Sequence, residues 1–230
     1  MTINETIQHA TTWILPVIFA ITLHEAAHGF AAKMLGDNTA SLAGRVSLNP
    51  LRHVDPVGTV LLPGMLLLSG TSFLFGWAKP VPVNFTQLHR PRLDMILVAA
   101  AGPGMNLVLA IIAALLFHTL DYVPDVAADW LSQNLQNAII INVVLALFNL
   151  LPIPPLDGGR IMVGILPRFL AVPLARLEPY GMMIIIVVMI VIPFLTQQFG
   201  IRVSPLTVLI GPIFNAVVTA ILALTGFPQS

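Results

Sequence analysis

Residues 24–28 read His-Glu-Ala-Ala-His, an H-E-x-x-H pattern. On a helix, a four-residue spacing puts His24 and His28 on one face, about 40° apart around the axis. Two imidazoles so placed can hold one Zn²⁺. Glu25 then stands beside the ion, where a carboxylate can take a proton from water and deliver it to a leaving amine. In a water-soluble chain the same pattern arises by accident on a helix surface. Here it lies between the apolar runs IFAITL and GFAA. Ionisable groups inside a spanning apolar helix are costly and mark function.

Two histidines leave such a site incomplete, because a catalytic zinc has three protein ligands plus an open position. The chain has no Cys, so thiolates are excluded. None of His9, His53, His89 and His118 repeats the intramembrane setting. His53 and Asp55, in LRHVDP, read as loop and cap residues, and His89 reads as a solvated loop residue. His118 lies in the outer half of its apolar stretch. The best remaining acid is Asp157, in NLLPIPPLDGGR at 149–160. The prolines there break a helix and the Gly pair allows close backbone approach. Broken helices at membrane depth are tolerated where they line a cavity or pack in protein. A helix-capping role is the other reading of Asp157.

The elements that must position these residues are membrane helices. The chain has 230 residues, 57% hydrophobic and 9% charged, with mean hydropathy +0.92. Soluble domains carry about 25% charged residues, so this chain cannot cover a water-facing surface. Net charge is zero, and nothing points to nucleic acid. Residues 11–35, 94–120, 137–151, 182–196 and 205–224 are apolar enough to span, the third and fourth being short and expected to extend at their ends. A sixth stretch, 57–75, is interrupted by Pro63, Gly64, Ser69, Gly70, Thr71 and Ser72. Basic segments flank it on both sides, and the positive-inside rule assigns both to the cytoplasm. The expectation is therefore a re-entrant 57–75, an N-terminus outside and a C-terminus in the cytoplasm. That topology brings His24, His28 and Asp157 to a similar depth near the cytoplasmic face. Residues 43–49 and 77–84 read as short extended strands at the cytoplasmic rim. The fold expected is an all-α polytopic membrane protein of five to six transmembrane helices, with residues 1–230 forming a single domain.

These motifs together resemble the site-2 protease family, the intramembrane zinc metalloproteases. The resemblance covers about residues 20–180 and rests on HEAAH at 24–28, AGPGMN at 101–106 and FNLLPIPPLDGGR at 148–160. GRVSLNP at 44–50 and GWAKPVPVN at 76–84 are similar to the compact bacterial branch that lacks a PDZ domain. The resemblance implies a Zn²⁺ cofactor held by His24, His28 and Asp157, with Glu25 as catalytic acid/base. It implies that Asn149 binds substrate backbone or the oxyanion, although an interhelical hydrogen bond would also account for an Asn there. Gly102 and Asn106 are read first as packing residues. The implied activity is hydrolysis of peptide bonds in or near transmembrane segments of membrane-protein substrates, as in regulated intramembrane proteolysis, in a bacterial plasma membrane. The extended segments are expected to pair with an unwound substrate by β-addition. A polytopic ion or metal transporter using the same His/Asp site is the alternative. Glu25 discriminates the two, because proteolysis needs it and ion binding does not.

Overall fold

The structure, a computed structural model, describes residues 3–61, 65, 78–200 and 204–227. The longer helices are α1 (Ile3–Met34), α3 (Pro91–Leu116), α4 (Asp125–Asn149) and α9 (Pro205–Leu224). Shorter ones are α2 (Thr39–Leu42), α5 (Asp157–Ile165), α6 (Arg168–Ala175), α7 (Glu178–Ile186) and α8 (Ile192–Gln198). A π-helical turn at Val187–Val191 joins α7 and α8 into one rod. Among the described residues five helices are long and apolar enough to cross a membrane: Thr11–Met34, Pro91–Tyr122, Asp125–Asn149, Glu178–Gln198 and Pro205–Leu224. The chain is a multi-pass membrane protein. The third crossing begins well before residue 137, because the polar stretch 125–136 continues the same helix.

Helices α1, α3 and α4 pack on one another, and cross-helix hydrogen bonds fix their directions. His28 Nδ1 meets the Val98 carbonyl at 2.7 Å, and Asn106 Nδ2 donates to the Ala20 carbonyl at 3.2 Å, so α3 runs antiparallel to α1. At the other end Trp130 Nε1 donates to Thr11 Oγ1 and Asn137 Nδ2 to Thr12, so α4 runs parallel to α1. Ala110, Ala113 and Ala114 of α3 pack on Leu135, Ile139 and Val143 of α4 and Ile221 of α9. Small residues at this seam let the backbones approach, which is how helices gain contact where lipid removes the hydrophobic drive between them. Large apolar side chains such as Phe19, Leu97, Ile112 and Val208 face outward, as a lipid-facing surface requires.

The His89 N–H donates to the Leu35 carbonyl at 3.0 Å. The chain from 35 to 89 therefore starts and ends at one end of the bundle, the end that also carries His28. The stretch expected to be re-entrant, 57–75, falls largely outside the described residues.

The expected rim strands are a correction. Among the described residues there is no strand. Residues 43–49 hold turns and bends, and 78–84, kept extended by Pro80 and Pro82, join no ladder. The reason lies in the backbone donors. Pro80 and Pro82 have none, the Lys79 N–H donates to the His53 carbonyl at 2.8 Å, and the Val81 N–H donates to a side chain. From 79 to 82 no N–H remains to pair with another strand, so β-addition of a substrate along this stretch loses its donors as well.

Candidate active site

Helix α1 carries His24, Glu25 and His28 over a little more than one turn, with both histidines buried. Each imidazole is oriented through Nδ1. The partner of His28 Nδ1, the Val98 carbonyl, can only accept, so Nδ1 carries the proton. His24 Nδ1 lies 2.5 Å from Asn106 Oδ1. The orientation of that amide follows from its other contacts, because Asn106 Nδ2 donates to the Ala20 carbonyl and to Asn142 Oδ1. His24 Nδ1 is therefore a donor too. Both rings, when neutral, keep a bare lone pair at Nε2, and a metal ligand needs that tautomer.

The two Nε2 atoms lie 3.0 Å apart. Asp157 Oδ2 is 3.3 Å from His24 Nε2, and Asp157 Oδ1 is 3.4 Å from His28 Nε2. Asp157 Oδ2 is buried without a hydrogen-bond partner. Electron-rich atoms crowded in this way repel one another unless a cation lies between them. A tetrahedral ion held at about 2.0–2.2 Å spaces its ligand atoms about 3.3–3.6 Å apart, close to the distances observed. His24, His28 and Asp157 thus fit a zinc ion.

Asp157 reaches this point because the chain breaks after α4. It is the first residue of α5, at the helix end that favours negative charge. A Cβ at Gly158 would collide with the Leu150 and Leu151 carbonyls, so the turn closes only without one. The far end of α5 is held by Arg92, whose Nε donates to the Gly164 carbonyl at 2.7 Å and whose Nη2 bonds the Leu166 carbonyl. Gly102 leaves the space beside the imidazoles open. A Cβ there would lie 2.6 Å from both His24 Cε1 and His24 Nε2, and closer still to His28 Nε2.

The other sequence candidates separate clearly. Glu25 is half-buried, and its Oε2 accepts the Val81 N–H at 2.8 Å. Asn149 Nδ2 donates back to the Leu145 carbonyl on its own helix at 3.0 Å, and no hydrogen bond joins it to the His–His–Asp group. His53 ends the turn Pro50–Arg52 and meets the Ser47 carbonyl at 2.9 Å. Asp55 caps the turn that follows through the Val57 and Gly58 N–H groups. His118 meets the Thr225 carbonyl, far from the site. Two parts of the site had no reading in the sequence as site residues. Asn106, read as packing, orients His24. The Val81 backbone reaches Glu25. A buried Asn in an apolar helix was the available signal for the first; a backbone donor leaves none.

Comparison with known proteins bears on the same region. The sequence model of peptidase family M50 matches residues 118–192, which include Asp157. YwhC of Bacillus subtilis strain 168, provisionally named a zinc metalloprotease, is 40% identical over 181 residues, covering 77% of this chain and 79% of that protein. Rip2 of Mycolicibacterium smegmatis, of the same provisional description, is 30% identical over 183 residues, covering 79% of this chain and 67% of Rip2. Rip2 of Mycobacterium tuberculosis H37Rv is 32% identical over 145 residues, covering 61% and 52%. No solved structure gives a significant match.

Proposed function

The chain belongs to peptidase family M50, and on that premise we propose that it is an intramembrane endopeptidase, cutting peptide bonds in or beside transmembrane segments of membrane-protein substrates. Its being a zinc metalloprotease follows from the family and the relatives. The observation that carries the finer reading is the convergence of two Nδ1-protonated imidazoles and an unpartnered carboxylate oxygen on one buried point. In this reading His24 Nε2, His28 Nε2 and Asp157 hold the zinc. The ion, when bound, supplies Lewis acidity to water and to the scissile carbonyl.

The remaining steps belong to the chain's own side chains. Asn106 and the Val98 carbonyl keep both imidazoles in the ligating tautomer. Glu25 accepts a proton from the attacking water and returns it to the leaving amine nitrogen. Asn149 keeps a second amide N–H beyond its bond to Leu145, available to a developing oxyanion. A substrate helix satisfies its own backbone, so it must unwind locally before its carbonyl can reach this point. The ion-transport reading used the same intramembrane His and Asp; membership of a peptidase family favours proteolysis. Residues 1–230 act as a single domain, as in the compact branch without a PDZ domain. The pairing of Leu35 with His89 supports a re-entrant 57–75, and with it a cytoplasmic position for the site, an N-terminus outside and a C-terminus in the cytoplasm of a bacterial plasma membrane.

The test is cleavage of a transmembrane peptide by detergent-purified protein, with zinc content measured alongside. Glu25→Gln is expected to keep its zinc and lose cleavage by at least about a hundredfold. Cleavage at the unmodified rate would remove Glu25 from the mechanism.

A further inference from the structure

Glu25 sits on a helix face, half-buried, with a side chain of three rotatable bonds. Proton transfer needs its carboxylate in one place, and among the described residues no hydrogen bond from α1 reaches it. The atom that does comes from a distant part of the chain: the Val81 N–H, 56 residues away, donates to Glu25 Oε2 at 2.8 Å. We propose that residues 79–84 form a strap whose Val81 N–H positions the Glu25 carboxylate for proton transfer, an inference that rests on reading Glu25 as the proton carrier.

The strap is tied on both sides of Val81. The Lys79 N–H donates to the carbonyl of His53, a residue 2% exposed, at 2.8 Å. The Asn84 N–H donates at 2.7 Å to Oδ2 of Asp37, which is 0% exposed and also accepts the Thr39 N–H through Oδ1. Between the ties, Pro80 and Pro82 fix the backbone extended on either side of Val81. The donor is thus aimed before the carboxylate arrives, and little chain entropy is lost in making the bond. The prolines also ensure that Val81 supplies the only N–H between Lys79 and Val83.

The strap also lies close on α1 at Gly29. Gly29 is one turn beyond Glu25 on the same face. A Cβ there would stand 3.1 Å from Val46 Cγ2 and 3.3 Å from Val81 Cγ1. The absent side chain sets the approach of the strap to the helix that carries Glu25. The arrangement engages one carboxylate oxygen with a neutral donor and leaves Oε1 for the exchanged proton. Val81 is a positioning residue: it acts through Glu25.

The experiment compares Val81→Pro with Val81→Ala in full-length, zinc-loaded protein. The proline variant lacks the N–H and suits a backbone already flanked by prolines; the alanine variant keeps the N–H and loses only side-chain packing. Zinc content, thermal midpoint, kcat and KM are read for cleavage of a transmembrane peptide, with Glu25→Gln in parallel. Val81→Pro is expected to lower kcat about ten- to a hundredfold below Val81→Ala, with KM and zinc content the same in both. Where the proline variant loses zinc or melts early, an ester replacing the Pro80–Val81 amide deletes the same donor and meets the same criterion. Equal kcat in the variants with and without the N–H overturns the strap. Glu25→Gln that still cleaves overturns the assignment of Glu25 itself, whatever Val81 does, so the two failures are distinguishable.

Discussion

The proton on His24 Nδ1 faces Asn106 Oδ1, and that contact decides which nitrogen of the ring can bind metal. Outer partners of this kind tune affinity by about ten- to a hundredfold. Asn106→Ala should therefore weaken zinc binding by about that factor in a chelator competition, while the helices stay folded. Unchanged zinc affinity would show that Asn106 only packs. Gly102→Ala tests the same point sterically, because its methyl would press on both imidazoles; stoichiometric zinc should be lost, as measured on the purified variant. Asp37 gives a pH-dependent case outside the spans. Burial raises its pKa, but hydrogen bonds from the Thr39 hydroxyl and N–H and from the Asn84 N–H outweigh that and hold the carboxyl below the ordinary carboxylate range. A depressed folded-state pKa means the stabilisation is complete above the unfolded value of about 4 and is lost as pH falls through the folded value. Asp37→Asn should lower the thermal midpoint at pH 7, and the gap to the unmodified protein should close as the pH falls below about 4.

At the scale of elements, the site depends on a nine-residue helix, α5, whose first residue is Asp157. Its other end is clamped by Arg92 of α3. Arg92→Ala removes a cation from helix C-terminal carbonyls and should cost about 1 kcal/mol, read as a lowered thermal midpoint; a midpoint equal to the unmodified protein's would mean solvent replaces the clamp without loss. The break before α5 was legible, because Pro152, Pro154 and Pro155 cannot continue α4. The rim was read less well. Alternating Val and Pro at 80–83 has the pattern of an edge strand and equally that of a lone extended strap. Sequence carries the backbone conformation in both cases. Which acceptors the remaining donors find is set by the fold.

For the whole molecule, the membrane-spanning character and the grouping of His24 with His28 were legible because each rests on local signals: apolar runs of spanning length, and polar residues at helical spacing inside one of them. Asp157 was reachable too, as the intramembrane acid beside a helix break. Contacts made across 82 residues, as between His24 and Asn106, or through backbone atoms, as between Val81 and Glu25, have no local signature. The antiparallel pair α1 and α3 puts residues 35 and 89 at one end of the bundle, and the proposed topology is tested by labelling. The chain contains no native Cys, so single cysteines report cleanly. Asn38→Cys and Lys79→Cys should be labelled by an impermeant reagent only from the cytoplasmic side, and Val123→Cys only from the opposite side; labelling of positions 38 and 79 from different sides would defeat the re-entrant arrangement. Whether His24, His28 and Asp157 together hold the zinc is read directly from the metal content of purified protein. The unmodified chain should carry about one equivalent of zinc, and His24→Ala, His28→Ala and Asp157→Ala should each fall well below it. A full equivalent retained by Asp157→Ala would contradict the assignment.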